Sequence, residues 1–264
     1  MNSYKDLKPI VEQQLVGHRT KLFAALLITS LAFTFVRDLM EIGLPQTIFS
    51  LISFVMSLVY VIVNDTVLFL FIKCIRHESF SIEDVRYAFT KFPILLIAGI
   101  LISLIQMLVS NVFILLSVLP PVFYVAMGAL NVVFILWSAL VAFGVYDGNM
   151  SVKELVIGAV KLLKANANVL IRASAAYVIW FAVIQFVLAL VLQGMLSEEY
   201  SGNLFILFGN AFHKSLLAWI TLSVVYVLYY AVQFALMVYL YMYLANLYEQ
   251  DRTTYMPSST RNRS

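Results

Sequence analysis

The chain has 264 residues, of which 62% are apolar and 12% charged, with a formal net charge of +3. A soluble domain carries roughly 25% charged residues, and a single core in water cannot hide this much apolar surface. The composition therefore excludes a soluble globule and makes the bilayer the solvent. The basic excess is small, and the aromatic residues lie inside apolar runs, not interleaved with Lys or Arg, which argues against nucleic-acid binding.

The first twenty residues are polar and amphipathic, and the first apolar run, Leu22 to about Val36, lacks a small-residue cleavage site. It reads as a first membrane helix, not as a cleaved signal, and it closes with Arg37, Asp38 and Glu41. The second run, Thr47 to Ile75, has 29 residues. At 1.5 Å per residue that is about 43 Å, against a hydrocarbon layer of about 30 Å. It must tilt, protrude or break, with Asn64-Asp65-Thr66 as the weak point. The third run starts at Pro93 and continues to about Val118, where Pro120-Pro121 makes a short outer turn. The fourth spans Val122 to Tyr146 and the fifth Val169 to Leu196. In the following polar stretch, Leu204 to Phe212 is expected to lie flat at the interface. The sixth run, Leu216 to Tyr248, must also protrude. The tail from Glu249 to Ser264 is polar and expected to be disordered.

Charge placement orients these six runs. The segment before run one holds Lys5, Lys8, Arg19 and Lys21; that between runs two and three holds Lys73, Arg76, Arg86 and Lys91. The segment between runs four and five, with the start of run five, holds Lys153, Lys161, Lys164 and Arg172, and the tail holds Arg252, Arg261 and Arg263. Fifteen of the 17 basic residues thus fall on one side, leaving Arg37 and Lys214 on the other. By the positive-inside rule the basic side is cytoplasmic, with both termini there, and the setting expected is a bacterial cytoplasmic membrane.

Each inner segment has the same grammar. Ser3-Tyr4-Lys5-Asp6, Ser81-Ile82-Glu83-Asp84 and Ser151-Val152-Lys153-Glu154 all read Ser-x-x-acid, close to a capping box. An amphipathic stretch follows each: Leu7, Ile10, Val11 and Leu15 in the first, Ile82, Val85 and Phe89 in the second, Val152, Leu155, Val156, Ala159 and Leu163 in the third. The expected fold is all-α: a polytopic membrane bundle of six transmembrane helices, built as three parallel repeats of an amphipathic helix plus a helical hairpin. The expected single membrane domain covers 1–248, in units of about 1–75, 76–147 and 148–248, before the tail at 249–264.

Val160-Lys161-Leu162-Leu163-Lys164-Ala165-Asn166 carries an amphipathic face and a Lys-x-Asn motif just ahead of a membrane span. In this, and in the order of its helices, the chain resembles a DUF975-like family of six-helix membrane proteins of Gram-positive bacteria. It departs from that pattern at Ala167-Asn168, where an aromatic is expected. The resemblance implies a fold and no activity.

Ionisable residues within the membrane are the default functional candidates. Asp65 is the clear case, about 15 Å along its helix from the inner end. One reading makes it a proton or cation site, or a polar contact to a substrate, with Asn64, Gln106 and Gln233 as the accompanying substrate or ion residues. The other makes it a helix-to-helix hydrogen bond with Gln106, Asn111, Asn131, Gln185 or Gln233, or a helix break. Arg172 is expected to snorkel to the inner surface, and with Lys164 it is a candidate for a lipid head group. Cys74, the sole cysteine, permits no intramolecular disulfide.

The zinc, nucleophile-elbow and phosphate-loop motifs are absent, and His18, His77 and His213 stand apart. No catalytic residue, metal or cofactor is expected. The function expected is a non-enzymatic scaffold, accessory or regulatory partner of another membrane protein or of lipid. The alternative is a transporter or channel for a small solute, ion or lipid with Asp65 in or near its path.

Overall fold

The structure, a computed structural model, describes residues 4–113, 120–148, 150–191 and 204–255. Helix is the sole regular structure among them. α1 (Tyr4–Leu15), α4 (Ile82–Thr90) and α7 (Val152–Ala165) are short helices at the three places where the sequence leads to amphipathic ones. Each precedes a helical hairpin: α2 (Arg19–Gly43) with α3 (Gln46–Arg76), α5 (Phe92–Phe113) with α6 (Pro120–Asp147), and α8 (Ala167–Val191) with α10 (Leu216–Tyr255). α9 (Leu204–Lys214) lies in the last connection, where the interfacial turn was expected.

Local chemistry sets the starts of α4 and α7. At α7 the Glu154 N–H donates to Ser151 Oγ at 3.3 Å, and the Ser151 N–H donates to the Glu154 carboxylate at 2.8 Å. The Ser151 N–H, and after it the Ser151 hydroxyl, which also donates to that carboxylate at 2.8 Å, hold the Glu154 carboxyl below the ordinary carboxylate range. At α4 the Ser81 N–H donates to Asp84 at 2.7 Å. The expected first box begins at Ser3, outside the described residues.

Several boundaries differ from the sequence reading. α2 does not stop at Val36 but continues to Gly43, carrying Arg37, Asp38 and Glu41 with it. Arg37 lies on the exposed side and donates to Asp38 at 2.8 and 3.0 Å, so the charges are absorbed without ending the helix. α3 runs unbroken through Asn64-Asp65-Thr66, and Thr66 Oγ1 donates back to Ile62 O at 2.7 Å. α3 therefore solves its excess length by protruding or tilting, not by breaking. The tail expected to be disordered from Glu249 is helical to Tyr255, because its charged residues are paired at the end of the bundle. At 40 residues α10 is about 60 Å long. Pro120 and Pro121 open α6, as proline's fixed φ favours; 114–119, 192–203 and 256–264 lie outside the described residues.

The helices pack in a cycle. α3, α6 and α10, the second helices of the three hairpins, all contact one another. Each first helix packs on its own partner and on the second helix of the preceding hairpin: α5 on α6 and α3, α8 on α10 and α6, α2 on α3 and α10. The short helices follow the same order, with α4 on α3, α7 on α6, and α1 on α10. This explains the burial pattern. α3 is buried at Asp65–Phe69 and Phe71–Lys73, α6 at Ala139–Val145, and α10 at Leu240–Tyr248. Those stretches are covered on every side, as helices without a polar face must be. α5 buries one stripe, Leu95, Ala98 and Ile102.

The bundle is tight at the basic end and open at the other. The half of α3 away from the basic end, from Gln46 to about Tyr60, has no fully buried residue, and the corresponding part of α10 buries only Ala218, Leu222 and Tyr226 before Phe234. α4 is covered along one side only. Its buried residues are Asp84 and Ala88, while Ile82 and Phe89 are 66% and 53% exposed. Asp84 turns inward to meet Lys73 of α3, while Glu83 and Arg86 stay exposed.

α6 approaches α8 closely at Gly128. A Cβ added at Gly128 would lie 3.1 Å from the Phe181 ring and 3.3 Å from Val178 O, the close approach that small residues permit between membrane helices. Gly128→Val is expected to overpack this crossing at a cost of about 2 kcal/mol. A melting curve of the purified protein in detergent reads the loss, and a wild-type midpoint would contradict it.

Candidate functional site

Two polar features stand out from the apolar bundle. The first closes the basic end. The Arg76 guanidinium, at the end of α3, donates to both Asp147 oxygens at 2.6 and 2.8 Å and to Glu249 at 2.6 Å. Arg252 pairs with Asp147 and, at 3.3 Å, with Glu249. The Tyr248 hydroxyl donates to Asp147 at 2.9 Å. The ends of all three central helices thus meet in charge, with Arg76 from α3, Asp147 from α6 and both Glu249 and Arg252 from α10, and the Asp147 side chain is 7% exposed. The Tyr146 ring lies under the Arg76 guanidinium and its hydroxyl donates to Glu78 at 3.1 Å. Around this centre, Lys73 binds Asp84 and Ser79 O, both at 2.8 Å. Gln14 and Asn246 exchange side-chain hydrogen bonds at 3.2 and 2.7 Å, tying α1 to α10. Asn166 donates to Asp251 at 2.8 Å, tying the α7–α8 junction to α10.

The second feature is Asp65. It is 8% exposed and forms no hydrogen bond or ion pair with any described residue. It lies 11 residues before Arg76, about 16 Å up α3, near the middle of a 30 Å layer. That is the level where the tight half of the bundle gives way to the open half. Tyr241 of α10 packs edge-on to Phe71 at 5.2 Å.

The other expected site residues scatter. Asn64 is half-buried beside Asp65 with no bond to a described residue. Gln106 donates to Asn131 at 3.4 Å within the α5–α6 hairpin. Gln233 donates to the Tyr177 hydroxyl at 3.3 Å, joining α10 to α8, and its Oε1 is buried without a partner among the described residues. None of Gln106, Asn111, Asn131, Gln185 and Gln233 bonds Asp65, which removes the expected packing role through those amides. Arg172 and Lys164 are both exposed at the basic end. Among the described residues no cluster of His, Cys, Asp and Glu is arranged to hold a metal ion.

The residues missed from sequence are Asp147, Glu249 and Asn166. A signal was present: Arg76 and Asp147 sit five and four residues ahead of Ser81 and Ser151, the caps of the next units. Opposite charges at matching places in two units predict a pair across the repeat. Asn166, the last residue of the Lys-x-Asn motif, serves as a structural tie.

Six helices are long and apolar enough to cross a membrane, which defines an integral, multi-pass membrane protein. No family model, curated protein or solved structure matches the chain.

Proposed function

We propose that the chain is a non-enzymatic membrane scaffold or accessory protein, with its basic end in the cytoplasm, that presents a rigid platform to a membrane-protein partner or to lipid. The observation that carries this reading is the filled and pinned basic end. From Val238 to Tyr248 the central helix buries all but Tyr239 below 10% exposure, and the Arg76–Asp147–Glu249–Arg252 cluster lies across its end. A polar route through the protein would have to cross that packed layer. The platform's outward surface is built from α1, α4 and α7, which keep Lys5, Lys8, Glu83, Arg86, Lys153 and Lys161 exposed. The cyclic packing supports one unit used three times, since each short helix meets the hairpin before it in the same way.

The test is crosslinking in native membranes followed by purification in mild detergent. A stoichiometric protein partner, lost when Lys5, Lys8 and Lys153 are changed to Glu, is the expected result. A lone chain without protein or retained lipid would contradict it. The transporter reading rests on a different observation, the buried carboxylate of Asp65, which has no bonded partner among the described residues. Solute or proton flux into vesicles that is abolished by Asp65→Asn would favour it over the scaffold.

A further inference from the structure

An apolar groove of about 470 Å³ runs between α6 and α8. Small side chains open it: Ala129 on α6, and Ala167 and Ala175 on α8. Its one polar lining side chain, Ser174, donates its hydroxyl to Ile171 O at 3.3 Å, so nothing in the groove asks for a polar ligand. Along α8 the lining extends from Ala167 to Ile179, 12 residues or about 18 Å, close to the depth of one bilayer leaflet. Leu163 of α7 closes its basic end.

Charge marks that end. Lys164 follows Leu163 directly, and Arg172 follows the lining residue Ile171. Lys161 stands one turn before Lys164 on α7. All three cations are exposed, and none pairs with a described residue. In this they differ from Lys73, Arg76 and Arg252, each neutralised by a carboxylate. From Leu155 to Val191 the chain contains no acidic residue. Asp251, brought to this end by α10, accepts a hydrogen bond from Asn166.

We propose that the groove between α6 and α8 holds one acyl chain of an anionic glycerophospholipid whose phosphate lies against Lys164 and Arg172. The groove supplies the shape for the chain and the unpaired cations supply the preference for net negative charge over a zwitterionic head group. The inference rests on the membrane setting alone and holds whether the protein is a scaffold or a transporter.

The experiment is native mass spectrometry of the full chain released from bilayers of equal phosphatidylglycerol and phosphatidylcholine. Each basic side chain at an anionic membrane surface is worth roughly a factor of five. The wild type is expected to retain phosphatidylglycerol preferentially, and the double variant K164Q/R172Q to lose about twentyfold of that preference. Ala175→Phe, at an exposed position in the groove, is expected to lower the retained lipid while leaving the cations in place. Unchanged melting midpoints establish that the variants are folded. Equal retention of the two lipids by the wild type overturns the site, as does undiminished preference in the charge variant. Full retention in Ala175→Phe overturns the placement of the chain in the groove. Displacement of the lipid by millimolar inorganic phosphate would reduce the site to a phosphate contact and overturn it too.

Discussion

Asp147→Ala is expected to cost about 3 kcal/mol of folding stability, lowering the melting midpoint by roughly 6–12 °C. Asp147 accepts from Arg76, Arg252 and Tyr248 together. Its removal leaves two guanidinium groups and a phenol competing for Glu249 in a place only partly open to water. Breaking a buried pair by deleting one partner costs more than the pair itself contributes, because the survivor keeps its desolvation penalty. The figure is at the low end of that range because Arg76 is 19% and Arg252 34% exposed, and because Glu249 remains. Glu249→Gln should cost less, since Asp147 still receives both arginines. The double variant R76Q/D147N should fall well short of the sum of its single costs, as residues in one network do. Additive losses, or a wild-type midpoint for Asp147→Ala, would show that the cluster is surface decoration.

How the sequence encodes this layout is uneven. The membrane class, the six runs and the three short helices were legible because each rests on a strong one-dimensional signal: a long apolar run, or a serine followed three residues on by an acid. The same signals misplaced helix ends. Polar residues at a helix end read as the end itself, so Arg37, Asp38 and Glu41 were put outside α2, and Glu249 to Tyr255 in a loose tail. In both places the charges have partners near the helix, and a sequence pattern does not display such pairings. At α4 the amphipathic face was legible, with Ile82 and Phe89 left exposed, but the inward turn of Asp84 to Lys73 was not, since it too depends on a partner from another helix.

The candidate site was legible only as a list. Asp65 stood out because a carboxylate within an apolar run is expensive. Which amides accompany it depends on helix rotation and on which hairpin packs where. The cyclic arrangement sends Gln106 to Asn131 and Gln233 to Tyr177, not to Asp65.

Asp65→Val is expected to raise the melting midpoint, by the equivalent of about 1–3 kcal/mol. The two side chains are similar in size, and Thr66, Val67 and Leu68 beside it are already buried. The exchange therefore removes a buried polar group without opening a large void. A buried acceptor that loses a partner costs the desolvation of that group. Asp65 bears this cost in the native protein, because no described side chain bonds it, and valine relieves it. Were Asp65 a packing residue with a partner, both Asp65→Val and Asp65→Asn would lower the midpoint instead. The sign of the shift therefore bears on function before any substrate is known. Stabilisation would mean that the fold does not need this carboxylate, so its role would lie in what it contacts when the protein works. Loss of partner association, or of flux, in the stabilised variant would then identify that role. Such a loss could not be ascribed to unfolding.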